Sequence, residues 1–138
     1  MGTFHADLTL INGIDVGFAK KKVIGEEEIK QINVRALVDT GSYMMAINEN
    51  IQSILQLNVV DSRKAQLANG EMIDCDVVEG LVVRFQNRST MCRAMVLPGD
   101  AEVLLGMIPL EDMDVLIDPL RGNLIVNPAH PDCAWTRL

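Results

Sequence analysis

The chain has 138 residues, 49% of them apolar but only 4% aromatic, with a net charge of −7 and a pI near 4.7. That length suits a single domain that buries roughly two-thirds of its unfolded surface, with Val, Leu, Ile and Met as the core formers. The acidic balance argues against nucleic acid or an anionic membrane surface as partner, and no apolar run reaches the length of a membrane span.

The opening, MGTFHADLTLING, lacks the basic start and apolar stretch of a signal peptide. Met1-Gly2 resembles a myristoylation start, but position 6 is Ala where that motif wants Ser or Thr, so the reading is discarded. Residues 3–11 alternate in polarity through Phe4, Ala6, Leu8 and Leu10, as a half-buried strand does. Asn12-Gly13 then predicts a turn, and the charged stretch 19–30, AKKKVIGEEEIK, a solvated hairpin or loop. Residues 32–38 form the next strand, with Asp39 where it ends. NENIQSILQL, 48–57, is a short helix with Asn48 as its cap and Glu49 in its first turn.

Residues 64–78 are two strand-like arms around Asn69-Gly70, a strong hairpin signal. Further strands follow at GLVVRF (80–85), STMCRAMVL (89–97) and AEVLLG (101–106). IPLEDMDVLID (108–118) has Pro109 placed for a first helical turn, and GNLIVNP (122–128) closes the regular part. Strands dominate, helices are short and turns are frequent, which predicts a small all-β barrel or sandwich. Without an internal repeat or linker, residues 1–138 read as one domain.

Three widely spaced cysteines, Cys75, Cys92 and Cys133, form no C-x-x-C pair. The odd count and the missing export signal favour reduced thiols in a cytoplasm. His5 and His130 lie near opposite ends, which disfavours a His/Cys metal site, and there is no G-x-S-x-G elbow.

Asp39 is the residue that demands an explanation. It sits between Ala36-Leu37-Val38 and Met44-Met45-Ala46-Ile47, and an unpaired carboxylate among such neighbours costs several kcal/mol or more. Gly41 permits a tight turn that brings backbone N–H groups to the carboxylate, and Thr40 and Ser42 add hydroxyls on either side. Asp-Thr-Gly-Ser also suits an ordinary turn; the apolar flanks weigh against that plainer alternative.

LVDTGS (37–42) resembles the active-site loop of the retropepsin-like aspartic proteases. LANGEMI (67–73) is similar to the family's flap hairpin, and LLGMIPLEDMDVLID (104–118) to its apolar-apolar-Gly strand, helix and returning strand. GNLIVNP matches the closing strand. The likeness spans roughly residues 32–128 and is nearest to small bacterial members.

This resemblance implies a small closed β-barrel of the acid-protease type, one lobe per chain. It also implies a homodimer, in which Asp39 of each subunit meets at a two-fold axis. Two carboxylates so close share a proton, an effect for which aspartic proteases are the usual illustration. One then activates a water while its protonated twin donates to the scissile carbonyl, and no metal or organic cofactor is required.

By the same resemblance, Thr40 hydrogen-bonds across the dimer, Ser42 donates to the outer oxygen of Asp39, and Gly41 brings its N–H close. Leu104, Leu105 and Gly106 pack behind the loop. Ala68, Asn69 and Gly70 form the flap over an extended peptide substrate.

The sequence departs from the family in three places. The flap has no aromatic residue. Met107-Ile108 stands where retroviral members tend to have an arginine. The segments 12–30 and 129–138 fall outside the likeness. In the C-terminal tail, Trp135 fits either a dimer anchor or a stacked tail residue, and His130 and Cys133 read as incidental. Two functions follow: a dimeric aspartic endopeptidase, or a peptide-binding or dimerisation module that keeps the fold with little hydrolysis.

Overall fold

The strand-forming runs are tied together by their inward side chains. In a computed structural model that describes residues 3–138, the first strand, β1 (His5–Asn12), turns Ala6, Leu8 and Leu10 into the core. Met1 and Gly2, weighed above as an acylation start, lie outside the described residues. The second, β2 (Gln31–Val38), pairs antiparallel with β1 and points Ala36 and Val38 inward. Next come β3 (Met45–Asn48), β4 (Val59–Gln66), β5 (Met72–Phe85), β6 (Arg88–Leu97) and the two-residue β7 (Leu104–Leu105).

The sheet runs β1-β2-β7-β3-β6-β5-β4, and β1 pairs β5 as well as β2. That extra pairing closes six strands into a barrel and leaves β4 as an outrigger on β5, so the expected all-β closed barrel is what the chain forms. Closure removes the free edges of the six barrel strands and leaves that of β4. Leu10, Ile47, Leu81, Val83 and Leu105 fill its interior with no solvent exposure.

Two short helices match their sequence signals. Asn48 Oδ1 accepts from Ile51 N–H at 2.8 Å and caps α2 (Glu49–Leu55), a contact of about 1 kcal/mol. Pro109 lies in the first turn of α3 (Met107–Asp112). The last strands, β8 (Val115–Asp118) and β9 (Asn123–Val126), pair only with each other.

Elsewhere the fold corrects the reading. Asn12-Gly13 is no turn: it opens a helix, α1 (Gly13–Lys20), and the Asn12 side chain accepts from the Ile14 and Asp15 N–H groups. Gly13 and Gly17 argue locally against a helix, so tertiary contacts decide. Asn12 Nδ2 donates to the Leu55 carbonyl at 2.9 Å, and a Cβ on Gly13 would come within 2.8 Å of the Gly80 carbonyl. The excursion closes where Asn12 N–H donates to the Lys30 carbonyl. Burial pushes the Asp15 carboxyl up, but the Lys30 backbone N–H and ammonium outweigh it and hold it below its ordinary range. From Lys21 onward the segment is a largely exposed loop, as predicted, interrupted by one 3-10 turn at Glu26–Glu28 and with Ile24, Ile29 and Lys30 half-buried.

Met45-Ala46-Ile47, read only as an apolar flank, forms with Asn48 a wholly buried strand. Residues 72–85 form one strand where two were expected. Gly80, at φ 77°, makes a bulge there that lets β5 leave β4 and turn onto β1.

The tail 127–138 folds back onto the barrel through Asp114. This carboxylate accepts from Asn127 Nδ2 at 3.0 Å and from Trp135 N–H at 3.1 Å, and it contacts His130 Nδ1 at 2.6 Å. The Asn127 side chain first, then the Trp135 N–H and His130, hold the carboxyl down to about 2. The Trp135 ring stacks on His130 with centroids 4.0 Å apart. Within the chain Trp135 thus stacks on the tail, and His130 has a structural partner.

Candidate active site

Asp39 leaves β2 at the point where three strands hold the backbone. Leu37 and Val38 pair in parallel with Leu104 and Leu105, and Asp39 N–H donates to the Leu105 carbonyl at 3.0 Å. The chain then reverses in a turn closed by Ser42 N–H donating to the Asp39 carbonyl at 3.1 Å. Gly41 sends its N–H to Asp39 Oδ1 at 2.9 Å, as its place in the loop predicts. Half-buried and open to a cleft, Asp39 avoids the full desolvation cost, and a hydrogen bond to a charged acceptor returns about 1.5–3 kcal/mol.

Gly106 locks the loop from behind. Met107 N–H donates to the Ser42 carbonyl and Ile108 N–H to the Tyr43 carbonyl. A Cβ on Gly106 would lie 2.3 Å from the Met44 carbonyl oxygen, so only glycine fits. Leu105 is fully buried behind the loop, whereas Leu104 also reaches the cleft wall.

Two expected roles need correction. Ser42 Oγ donates to the Met44 carbonyl at 2.9 Å, not to Asp39. With both backbone groups of Ser42 committed to Asp39 and Met107, its hydroxyl turns along the chain. Asn69 does not face the cleft: its Oδ1 accepts from Glu71 N–H at 2.9 Å within the hairpin tip. Gly70 N–H donates to the Leu67 carbonyl and Leu67 N–H to the Glu71 carbonyl. Gly70 alone of the tip takes a left-handed φ of 86°, a type I turn followed by a glycine bulge.

The β4–β5 hairpin stands over Asp39 and encloses a cleft of about 810 Å³. Asp39, Gly41 and Ser42 line its floor, and Leu67, Ala68 and Gly70 its roof. A second apolar cluster seats the hairpin, with Cys75, Leu67 and Ile73 packed against Ala46, Met95 and Leu97 of the barrel. Thr40 points elsewhere, into a depression bounded by α3 and by Leu116 and Ile117 of β8.

Sequence reasoning missed Tyr43, Met44, Arg63, Met95 and Leu97 on the cleft wall. The alternation Met91, Arg93, Met95 in STMCRAMVL marks the outward face of β6, but which outward face meets the hairpin is decided by pairing. Among the described residues, no three His, Cys, Asp or Glu side chains converge, and no helix is long and apolar enough to cross a membrane.

A closed barrel presenting Asp39 and Gly41 at the floor of a cleft beneath a β-hairpin has the architecture of one acid-protease lobe. A family model described as aspartyl protease matches residues 26–108, more than half of the chain, and the protein belongs to the retropepsin-like aspartyl protease family. No curated protein matches the chain in sequence.

Proposed function

We propose that the protein is a homodimeric aspartic endopeptidase in which residues 1–138 form one lobe and Asp39 of each protomer supplies one carboxylate. The observation that carries this reading is Asp39 itself, hydrogen-bonded to Gly41 N–H and open to the cleft under the β4–β5 hairpin. One ionised Asp39 takes a proton from a bound water, whose oxygen attacks the peptide carbonyl carbon. The protonated partner carboxyl gives its proton to the carbonyl oxygen. Collapse of the resulting diol breaks the C–N bond as the amine nitrogen is protonated. No metal or organic cofactor takes part.

Dimerisation is supported by Thr40, exposed beside β8 where Leu116 and Ile117 are 44% and 36% exposed. A two-fold axis through that face lets the two Thr40 side chains bond across it and covers the apolar pair. Leu104, Leu105 and Gly106 then act as scaffold, and Ala68 and Gly70 as the closing roof. Substrates are extended peptides, met in a cytoplasm, with neither nucleic acid nor membrane as partner.

Digestion of a peptide library across pH tests the reading. The wild type cleaves best on the acidic side, and Asp39→Asn loses at least about a thousandfold in rate while keeping its circular dichroism spectrum. Full activity in Asp39→Asn overturns the mechanism. An inert wild type that still binds the peptides leaves a binding module.

A further inference from the structure

The cleft over Asp39 does not end at Met44. Tyr43, Met44, Met45 and Arg63 also line a second depression of about 290 Å³, whose remaining wall is Met91, Cys92, Arg93 and Ile108. Beneath it runs the outward face of β6, which carries Met95 under the main cleft and Met91 and Arg93 under its extension. Tyr43, Met91 and Ile108 are 72%, 57% and 38% exposed, an unusual apolar concentration so near a site.

Its charge is the more informative feature. The protein carries 19 acidic and 12 basic residues, yet this depression is lined by two arginines and no acid. Among the described residues, Arg93 makes no ion pair. Arg63 lies 3.6 Å from Asp61 through Nε, in a pair about half exposed and therefore weak. Its Nη1 rests on Met44 Sδ at 3.3 Å, which holds the guanidinium over the junction between the two depressions. The neighbouring Lys64 is already paired with Asp74 at 2.9 Å. Arginine forks suit planar carboxylates, and here they flank an apolar floor.

We propose that this extension is a substrate subsite, in which Arg63 and Arg93 select peptides carrying an acidic residue a few positions from the scissile bond, next to an apolar one seated on Met44 and Met91. The inference rests on the proteolytic reading and adds the substrate class. In a two-fold dimer the same preference holds on both sides of the cleavage point.

Fluorescein-labelled decapeptides with an apolar centre test it, one set bearing Glu and the other Lys three and four residues from that centre. Binding is read by anisotropy on Asp39→Asn, which does not depend on hydrolysis. The Glu set binds about tenfold more tightly, the size of one charge-assisted contact. Arg63→Gln with Arg93→Gln erases the preference, and Arg63→Glu with Arg93→Glu reverses it. Arg84→Glu, at the far end of β5 from the hairpin tip, retains it. Equal binding of the two sets, no binding of either, or a preference that survives the double reversal overturns the subsite. Cleavage by the wild type of both sets alike sinks the subsite alone; selective binding without cleavage sinks the proteolytic reading alone.

Discussion

Asp39 and Gly106 face each other across the same loop and are constrained in different ways. Asp39 is held by donors: its own N–H is spent on Leu105, and its Oδ1 receives the Gly41 N–H. Gly106 is held by lack of space, because the Met44 and Ser42 carbonyl oxygens would lie 2.3 and 2.8 Å from any Cβ. Both obstacles are backbone atoms that already hold other contacts, so they cannot swing aside as a flexible side chain does. Gly106→Ala is therefore expected to lower stability by about 1–3 kcal/mol. Urea unfolding checks this: the midpoint falls while the slope stays unchanged. A midpoint equal to that of the wild type contradicts the packing account.

The element that the sequence concealed most thoroughly is the tail. Residues 127–138 form no helix or strand, yet Asp114 gathers Asn127, His130 and the Trp135 N–H. Asp114 itself is a non-glycine residue at φ 54°. Arg88, 2% exposed, reaches the same place, with Nη2 bonded to the His130 carbonyl and 3.9 Å from Asp114. The folded carboxyl is held down to about 2 from an ordinary 3.8. A depressed carboxyl stabilises the fold above its unfolded value, so this contribution is intact above about pH 4 and disappears as pH falls through about 2. Trp135 is the only tryptophan, and its fluorescence reports on the tail directly. An acid titration is expected to shift that emission between pH 4 and 2, and Asp114→Asn to show the released spectrum already at neutral pH. An unchanged spectrum in the variant means that the tail is held by something else.

At the scale of the whole molecule, the barrel is closed but the β8–β9 hairpin pairs with nothing else. Leu116 and Ile117 leave apolar surface beside Thr40, and Leu120 at the hairpin tip is 96% exposed. Apolar surface gathered on one face next to the Asp39 loop is what the proposed two-fold dimer would cover. Leu116→Glu combined with Ile117→Glu is expected to give monomers in sedimentation equilibrium and to abolish peptide cleavage, with the β-sheet circular dichroism retained. A wild type that stays monomeric at tens of micromolar removes the dimer, and with it the second Asp39.

Local chemistry was enough to mark the Asp39 loop, because a carboxylate between apolar runs, followed by a glycine, has few explanations. It was enough also for β1, β2 and α2, where side-chain alternation and a capping Asn report on their own neighbourhood. Tertiary structure alone decided the rest. The buried strand Met45–Asn48 carries no alternation because both its faces are covered. The outer half of β4 is exposed almost throughout and exists because β5 pairs with it. The helix at Gly13 runs against propensity and stands on contacts with Leu55 and Gly80. Arg63 and Arg93 lie 30 positions apart in sequence, and only the closure of the sheet brings them to one wall. Periodicity and capping act over a few residues, whereas pairing partners, covered faces and the lining of a cleft depend on contacts between distant segments, which no short stretch of sequence contains.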